Sequence, residues 1–174
     1  MKGDMDLRTA QKPIKERYRE DPSASRITLV ARGATADTPI ACSVDLGRTI
    51  YDAQAHPGVG GAGTAACSGD LLLGALAACA QLTCQMVASA MEIPVVDVRV
   101  VVEGDLDLAG TLGVTRDARV GFDAIRLAFE IDAPDATEEQ LAGLRERTER
   151  YCVVLQTLTD PPAVDTSFAP SMRT

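Results

Sequence analysis

The order of apolar and polar residues predicts one long buried helix in the middle of the chain. Residues from about Ser68 to Met91 are mostly apolar or small, and no charged residue occurs from Leu71 onward in this segment. Pro94 lies just beyond and ends the predicted helix. A helix that is apolar around its whole circumference must be covered on all sides, so we expect it at the centre of the fold.

Two later segments, residues 95–107 and 123–132, alternate between apolar and polar positions, which is the period of a strand with one buried face. Their apolar positions are Val96, Val98, Val100, Val102, Ile125, Leu127, Phe129 and Ile131. We expect these two strands to be half-buried and antiparallel. After them, Thr137 and Gln140 match a capping box, and apolar residues at helical spacing predict a second amphipathic helix that ends near Cys152.

The remaining segments have weaker patterns. Residues 13–21 predict a short charged helix with Pro13 in its first turn. Short strands and a glycine-rich loop are predicted from composition, the strands at 26–32, 40–46, 48–54 and 163–168 and the loop at 56–69. This order of elements predicts an α+β fold, with residues 1–25 as an N-terminal extension and 26–174 as one domain.

Composition and charge narrow the function classes. The net charge of −8 gives no basic surface for nucleic acid or an anionic membrane, so neither is an expected partner. The N-terminal residues lack the apolar core of a signal peptide, so we expect a cytoplasmic protein whose five cysteines are thiols. The uncharged segment 71–91 has the length of a membrane span, but its polar and small residues favour a helix buried inside a protein.

The surrounding residues argue against two common kinds of binding site, for a dinucleotide and for a metal ion. Gly58, Gly60 and Gly63 fit the G-x-G-x-x-G pattern, yet no helix opens directly after them and Thr83 stands where an acidic residue is required. With a single histidine, His56, and no closely spaced cysteine pair, the sequence predicts no metal site.

The cysteines are the remaining candidates for chemistry. Cys42 and Cys84 fit small apolar core residues, and Cys67 in the glycine-rich loop stays open. Cys79 and Cys152 each fall on an apolar face of a predicted helix. The residues alone leave open whether these two form a redox pair or are inert core residues.

Three segments together resemble the OsmC/Ohr family of organic-hydroperoxide-reducing proteins. They are GDLLLGALAACAQLT, the valine-rich strand that ends in EGDLD, and ERYCVVLQTL with PPAV, and the resemblance covers about residues 26–168. It implies an intertwined α+β homodimer with the active sites at its interface. It also implies that Cys79 attacks the peroxide and that Cys152 is the resolving cysteine.

Three positions depart from the family pattern. Val153 follows the second cysteine where family members usually have proline. Gly69 occupies the position of the glutamate ten residues before the first cysteine, and the neighbouring Asp70 is the available acid. No arginine matches the one that these peroxidases draw from an early loop, so the candidates are Arg17, Arg19 and Arg32.

The expected function is thiol-dependent reduction of organic hydroperoxides in oxidative-stress defence. A thiolate is the reactive form, and Cys79 lies too deep in its own helix to gain from the dipole, so we expect an arginine beside it and a lowered thiol pKa. Apolar surroundings favour an organic peroxide over hydrogen peroxide. The resemblance implies an external dithiol reductant of the lipoyl type and no cofactor, metal or flavin.

Two further expectations concern assembly. The all-round apolar helix predicts an obligate homodimer. Asp70 and Cys79 lie about 13.5 Å apart along that helix on opposite faces, so any help from Asp70 should come from the partner subunit. The alternatives are a non-enzymatic OsmC-like module that binds an apolar ligand at the dimer interface, and a purely structural protein.

Overall fold

The structure is a computed structural model, and it describes residues 7–35, 42–45, 55–64 and 66–168. Side chains are described over 12–28, 55–64 and 66–168. The helices are α1 Leu7–Glu20, α2 Ser68–Ala90, α3 Leu108–Thr111, α4 Glu138–Tyr151 and α5 Val153–Thr159. The strands are β1 Arg26–Thr35, β2 Cys42–Asp45, β3 Asp97–Asp107 and β4 Phe122–Asp132.

The described strands form one four-stranded antiparallel sheet in the order β2-β1-β3-β4. Alternation places Val98, Val100 and Val102 of β3 on one face, where all three are fully buried. The expected α+β fold and the antiparallel pairing of β3 with β4 are therefore confirmed.

Helix α2 covers the buried face of the sheet and runs antiparallel to β3. Near its start, Leu73 reaches Gly104, where an added Cβ would lie 3.1 Å from Leu73 Cδ2. Further along, Gln81 Nε2 donates a hydrogen bond of 2.8 Å to the Val98 carbonyl. This bond anchors the middle of α2 to the start of β3.

Helix α4 packs on the side of α2 and runs antiparallel to it. At one end Cys152 contacts Cys79, and at the other a Cβ on Gly143 would lie 3.1 Å from Met91 Cε. The predicted capping box begins α4, with Thr137 Oγ1 accepting from the Gln140 N–H and the Gln140 side chain accepting from the Thr137 N–H. This packing brings the two cysteine-bearing segments together.

Helix α2 has the length and apolar composition of a membrane span. Its most apolar stretch of 18 residues has a mean hydropathy of 1.7, but 50% of that stretch is buried inside the protein. The core helix of a soluble protein has the same properties. The burial agrees with the sequence-based interpretation of this segment as a helix packed within a fold.

Some predicted boundaries need correction. The N-terminal helix begins at Leu7, so Pro13 lies inside it and not in its first turn, although a proline there removes one amide donor and its ring crowds the carbonyl of the preceding turn. The predicted strand at 163–168 is wrong, because this segment is irregular and fully exposed. The predicted strand at 48–54 lies outside the described residues.

Candidate active site

The site centres on the Cys79 thiol, which is part-buried in the middle of α2. Cys152, which has no solvent exposure, sits between α4 and α5 and donates a hydrogen bond from its thiol to the Cys79 sulfur. The Thr83 hydroxyl, one helical turn after Cys79, lies 3.9 Å from the same sulfur. Two helices thus converge on one sulfur atom.

A break in the helix at Cys152 supplies further donors. Cys152 has φ −73° and ψ 102°, an extended conformation that ends α4 and begins α5. The first amides of any helix have no partner within it, and at α5 the N–H groups of Val153 and Val154 donate to the Cys79 sulfur. The sulfur is therefore surrounded by donors, as a thiolate requires.

These contacts decide the acidity of Cys79. Burial raises the pKa of its thiol, but the hydrogen bonds from the Val154 amide, the Cys152 thiol, the Thr83 hydroxyl and the Val153 amide outweigh burial. The net effect holds the pKa of Cys79 below the ordinary cysteine range. Cys79 is the sulfur that this site favours as a thiolate.

Cys152 is shifted in the opposite direction. Burial, together with the hydrogen bond to Cys79 and the negative charge of Cys79, raises the pKa of Cys152 to about 11 against the opposing effect of the Leu155 and Val154 amides. One proton is thus kept on Cys152 while Cys79 gives up its own. This arrangement places a nucleophile beside a protonated thiol.

A comparison with known proteins shows the family of the chain. The profile of the OsmC-like protein family matches residues 61–167, which span α2, the second half of the sheet and both cysteine segments. The chain belongs to the OsmC-like family.

A solved structure shares the fold of this OsmC-like protein. It is an OsmC-like hydroperoxide resistance protein from Jannaschia sp. CCS1, with a TM-score of 0.58 and 15% sequence identity over 80% of this chain and 91% of that one. No curated protein sequence matches this chain.

Of the three arginines expected beside Cys79, two lie on α1, and the side chain of the third is outside the described residues. Arg17 and Arg19 are exposed on α1, and Arg17 stacks over the Tyr18 ring. Helix α1 packs on α3 and on the short 3-10 helices Pro22–Ser25 and Pro57–Val59. Arg32 belongs to β1, opposite Val101, and its side chain is outside the described residues. Among the described residues, hydrogen-bond donors account for the lowered pKa of Cys79, and an approach of Arg32 to this sulfur stays a prediction.

Asp70 of this OsmC-like protein has a structural role within its own chain. Its Oδ2 accepts a hydrogen bond of 2.8 Å from the Cys67 N–H in the first turn of α2. The acid therefore caps the helix that carries Cys79. A role in the partner subunit's site stays a prediction.

The other described cysteines are poorly suited to attack. Burial raises the pKa values of Cys67 and Cys84, and both side chains are buried. Cys42 lies in β2, and its side chain is outside the described residues.

Three donors around Cys79 were not predicted from the sequence. Thr83 could have been found, because a hydroxyl four residues after the cysteine shares its helix face. The amides of Val153 and Val154 could not, because apolar spacing continues through Leu155 and conceals the break at Cys152.

Proposed function

We propose that this OsmC-like protein is a thiol peroxidase that reduces organic hydroperoxides in oxidative-stress defence. The observation that carries this proposal is the hydrogen bond from the Cys152 thiol to Cys79, with the two pKa values shifted in opposite directions. The name of the Jannaschia protein, hydroperoxide resistance, points to the same chemistry.

In the first step the Cys79 thiolate attacks the terminal oxygen of the hydroperoxide. A sulfur–oxygen bond forms, the O–O bond breaks, and the alkoxide leaves and takes up a proton to become an alcohol. The sulfur is oxidised to a sulfenic acid and the peroxide is reduced by two electrons. No metal or cofactor is needed for this step.

In the second step Cys152 attacks the sulfenic sulfur of Cys79. A disulfide forms, and the hydroxide that leaves takes the proton that Cys152 gives up, so that water is released. The burial of Cys152 keeps its thiol protonated and unreactive toward peroxide until this moment. An external dithiol, which we propose to be of the lipoyl type, then reduces the disulfide and becomes oxidised itself.

The surroundings of Cys79 favour organic substrates. Tyr151 and Val153, which flank Cys152, and Met86 on α2 are large apolar side chains that stay more than half exposed beside the site. Burial of an alkyl or aryl group against them stabilises an organic hydroperoxide but not hydrogen peroxide. We place this chemistry in the cytoplasm, where dithiol reductants operate.

The same exposure supports a homodimer. Helix α2 has an apolar face on which Leu72 and Ala75 are exposed and Leu82 is half-buried. Val164 and Phe168 of the C-terminal segment are also almost fully exposed, at 81% and 95%. A second copy of the chain that covers these side chains would remove apolar area from water on both subunits.

A peroxidase assay tests the proposal. Purified protein with dihydrolipoamide should consume cumene hydroperoxide with a kcat/KM at least tenfold above that for hydrogen peroxide. Cys79→Ser should abolish turnover, whereas Cys84→Ser, an alteration of a buried cysteine on the same helix, should retain it. Absence of turnover with every hydroperoxide would overturn the proposal and leave the module that binds an apolar ligand.

A further inference from the structure

A groove of about 810 Å³ lies between strand β4 and the pair of helices α4 and α5. Strand β4 is at one edge of the described sheet, and α2 packs chiefly on β1, β2 and β3. The apolar side chains Leu127, Phe129 and Ile131 of β4 are therefore only half-buried, and they form one wall of the groove. Leu141 of α4 and Leu155 of α5 lie on the other wall. We refer to this space as the β4–α4 groove.

The floor of the groove is formed by two deeply buried side chains, Cys84 of α2 and Thr148 of α4. Thr148 is 2% exposed, and its hydroxyl oxygen has no hydrogen-bond partner among the nitrogen and oxygen atoms that the structure describes. The hydroxyl faces the Cys84 sulfur, which is a weak acceptor. A buried hydroxyl in this state destabilises a fold unless a further group bonds to it. The groove therefore presents a hydroxyl oxygen with unused lone pairs at its floor.

Among the residues described, the rim of the groove carries no unpaired charge. Its charged residues, Arg145 and Glu149, form an ion pair with each other at 2.8 Å. The Gln156 side chain donates to the Glu149 carbonyl at 2.9 Å, and the Thr159 hydroxyl donates to the Leu155 carbonyl at 3.0 Å. An ionic ligand would have to break the existing ion pair, so this lining favours a neutral ligand.

The β4–α4 groove is separate from the proposed peroxide site. Cys84 follows Cys79 by five residues, which turns its side chain by about 140° around α2. A molecule that contacts Cys84 thus lies on a different face of the helix from the reacting sulfur. Burial also raises the pKa of Cys84, which keeps this thiol protonated and makes it a weak donor instead of a nucleophile.

We propose that the β4–α4 groove is a second ligand site, which binds a neutral, mostly apolar molecule with one hydroxyl group. The ligand hydroxyl donates to Thr148 Oγ1 and accepts from the Cys84 thiol, while the apolar part of the ligand covers the β4 wall. The volume of the groove is in the range of sites for small organic molecules. Binding here forms no bond to sulfur and is independent of the proposed peroxidase function.

A binding measurement with a matched pair of probes tests this site. Reduced full-length protein is titrated by NMR with 4-propylphenol and with 4-propylanisole, which are both neutral and similar in shape, although the methyl ether has no donor. The phenol should bind about threefold to tenfold more tightly, which is the effect of one hydrogen bond to a buried partner. The charged probe 4-propylbenzoate should bind more weakly than the phenol, because Arg145 is already paired with Glu149.

Substitutions at Thr148 test the hydrogen bond. Thr148→Val has the same shape without the hydroxyl and should lower the affinity for the phenol to that for the anisole. Its thermal stability should not fall, because the hydroxyl that it removes has no nitrogen or oxygen partner, whereas loss of a structural hydroxyl would destabilise the protein. Thr148→Ser should keep the preference for the phenol. Thr157→Val is the matched control, since the Thr157 hydroxyl is outside the groove and donates to the Val153 carbonyl.

The position of the probe is measured separately, by nuclear Overhauser contacts between the phenol and side-chain protons. We expect contacts with Leu127, Phe129 and Ile131 on the β4 wall. Contacts with Met86 and Tyr151 instead would place the phenol beside the proposed peroxide site and would overturn the inference.

The other contrary results are equally clear. If the wild type binds the phenol and the anisole equally, or if Thr148→Val keeps the preference for the phenol, Thr148 is not the partner of a ligand hydroxyl. If neither probe binds, for example because a second copy of the chain covers β4, the groove is not a ligand site. The peroxidase assay and these titrations are independent, so an inactive protein would still give a result here.

Discussion

At the residue scale, the proposed chemistry depends on how two sulfur atoms divide their protons. Cys79 accepts hydrogen bonds from Cys152, Thr83 and two amides, while Cys152 is buried and has a pKa of about 11. At Cys79 the donors outweigh burial and favour the thiolate, whereas at Cys152 burial and the neighbouring Cys79 outweigh the Leu155 and Val154 amides and keep the thiol. The same pair would be useless with the two shifts exchanged, because the buried sulfur could not reach a substrate.

The first prediction concerns the pH dependence of alkylation. A lowered pKa means that the thiolate fraction of Cys79 reaches its plateau at a lower pH than that of a free cysteine. Iodoacetamide rates followed by peptide mass spectrometry should therefore rise and level off at a lower pH for Cys79 than for a free cysteine peptide measured alongside. Cys152 should remain unmodified over the same range. Preferential labelling of Cys152 would contradict the division of roles.

The second prediction uses Val153, which stands where family members usually carry proline. Val153→Pro removes one amide donor to Cys79 with little other change, because proline suits the first position of a helix and Cys152 is already extended. The pKa of Cys79, taken from its alkylation profile, should rise, whereas Val153→Ala, which keeps the amide, should leave it in place. Equal profiles for both variants would show that this amide does not stabilise the thiolate.

At the element scale, the start of α2 depends on Asp70. Its carboxylate accepts from the Cys67 N–H, so Asp70→Ala should lower the free energy of unfolding by about 0.5–1.5 kcal/mol, the net worth of one hydrogen bond. Asp70→Asn keeps an acceptor oxygen and should lose less. Denaturant titration of the three proteins measures both differences. An unchanged stability in Asp70→Ala would mean that the cap contributes nothing.

The same residue allows a test of its predicted action on the partner subunit. Asp70→Ala and Cys79→Ser proteins are mixed under conditions that permit subunit exchange. If Asp70 assists across the interface, the mixed dimer has one complete site and regains about half of wild-type activity, because a two-fold interface pairs each surface with its copy. Full activity of the Asp70→Ala homodimer would remove Asp70 from the mechanism.

Elements with a long, uniform pattern could be predicted from the sequence, and interruptions could not. The uncharged segment predicted α2 with its N-terminus at Ser68, and the alternating valines predicted β3. The break at Cys152 is set by the packing of α4 and α5 on α2, which no local pattern records. For the same reason the two cysteines could be identified from the sequence as site residues, but the amides that lower the pKa of Cys79 could not.

At the scale of the whole molecule, the exposed apolar face of α2 predicts that the protein is a dimer. Leu72→Glu places a charge on that face and should yield monomers, or a dimer with a sharply raised dissociation constant, because burial of an unpaired charge is costly. Val120→Glu is the matched control, since Val120 is also exposed but lies in the connection before β4. Light scattering at micromolar concentration measures the mass. A monomeric wild type would contradict the proposed assembly.

The central claim is that Cys79 and Cys152 carry out the peroxide chemistry as a pair. Reduced protein is treated with one equivalent of cumene hydroperoxide and digested under non-reducing conditions for mass spectrometry. We expect a disulfide between Cys79 and Cys152 in the wild type and a sulfenic acid at Cys79 in Cys152→Ser. Oxidation confined to Cys42 or Cys67, with Cys79 still a thiol, would contradict the account.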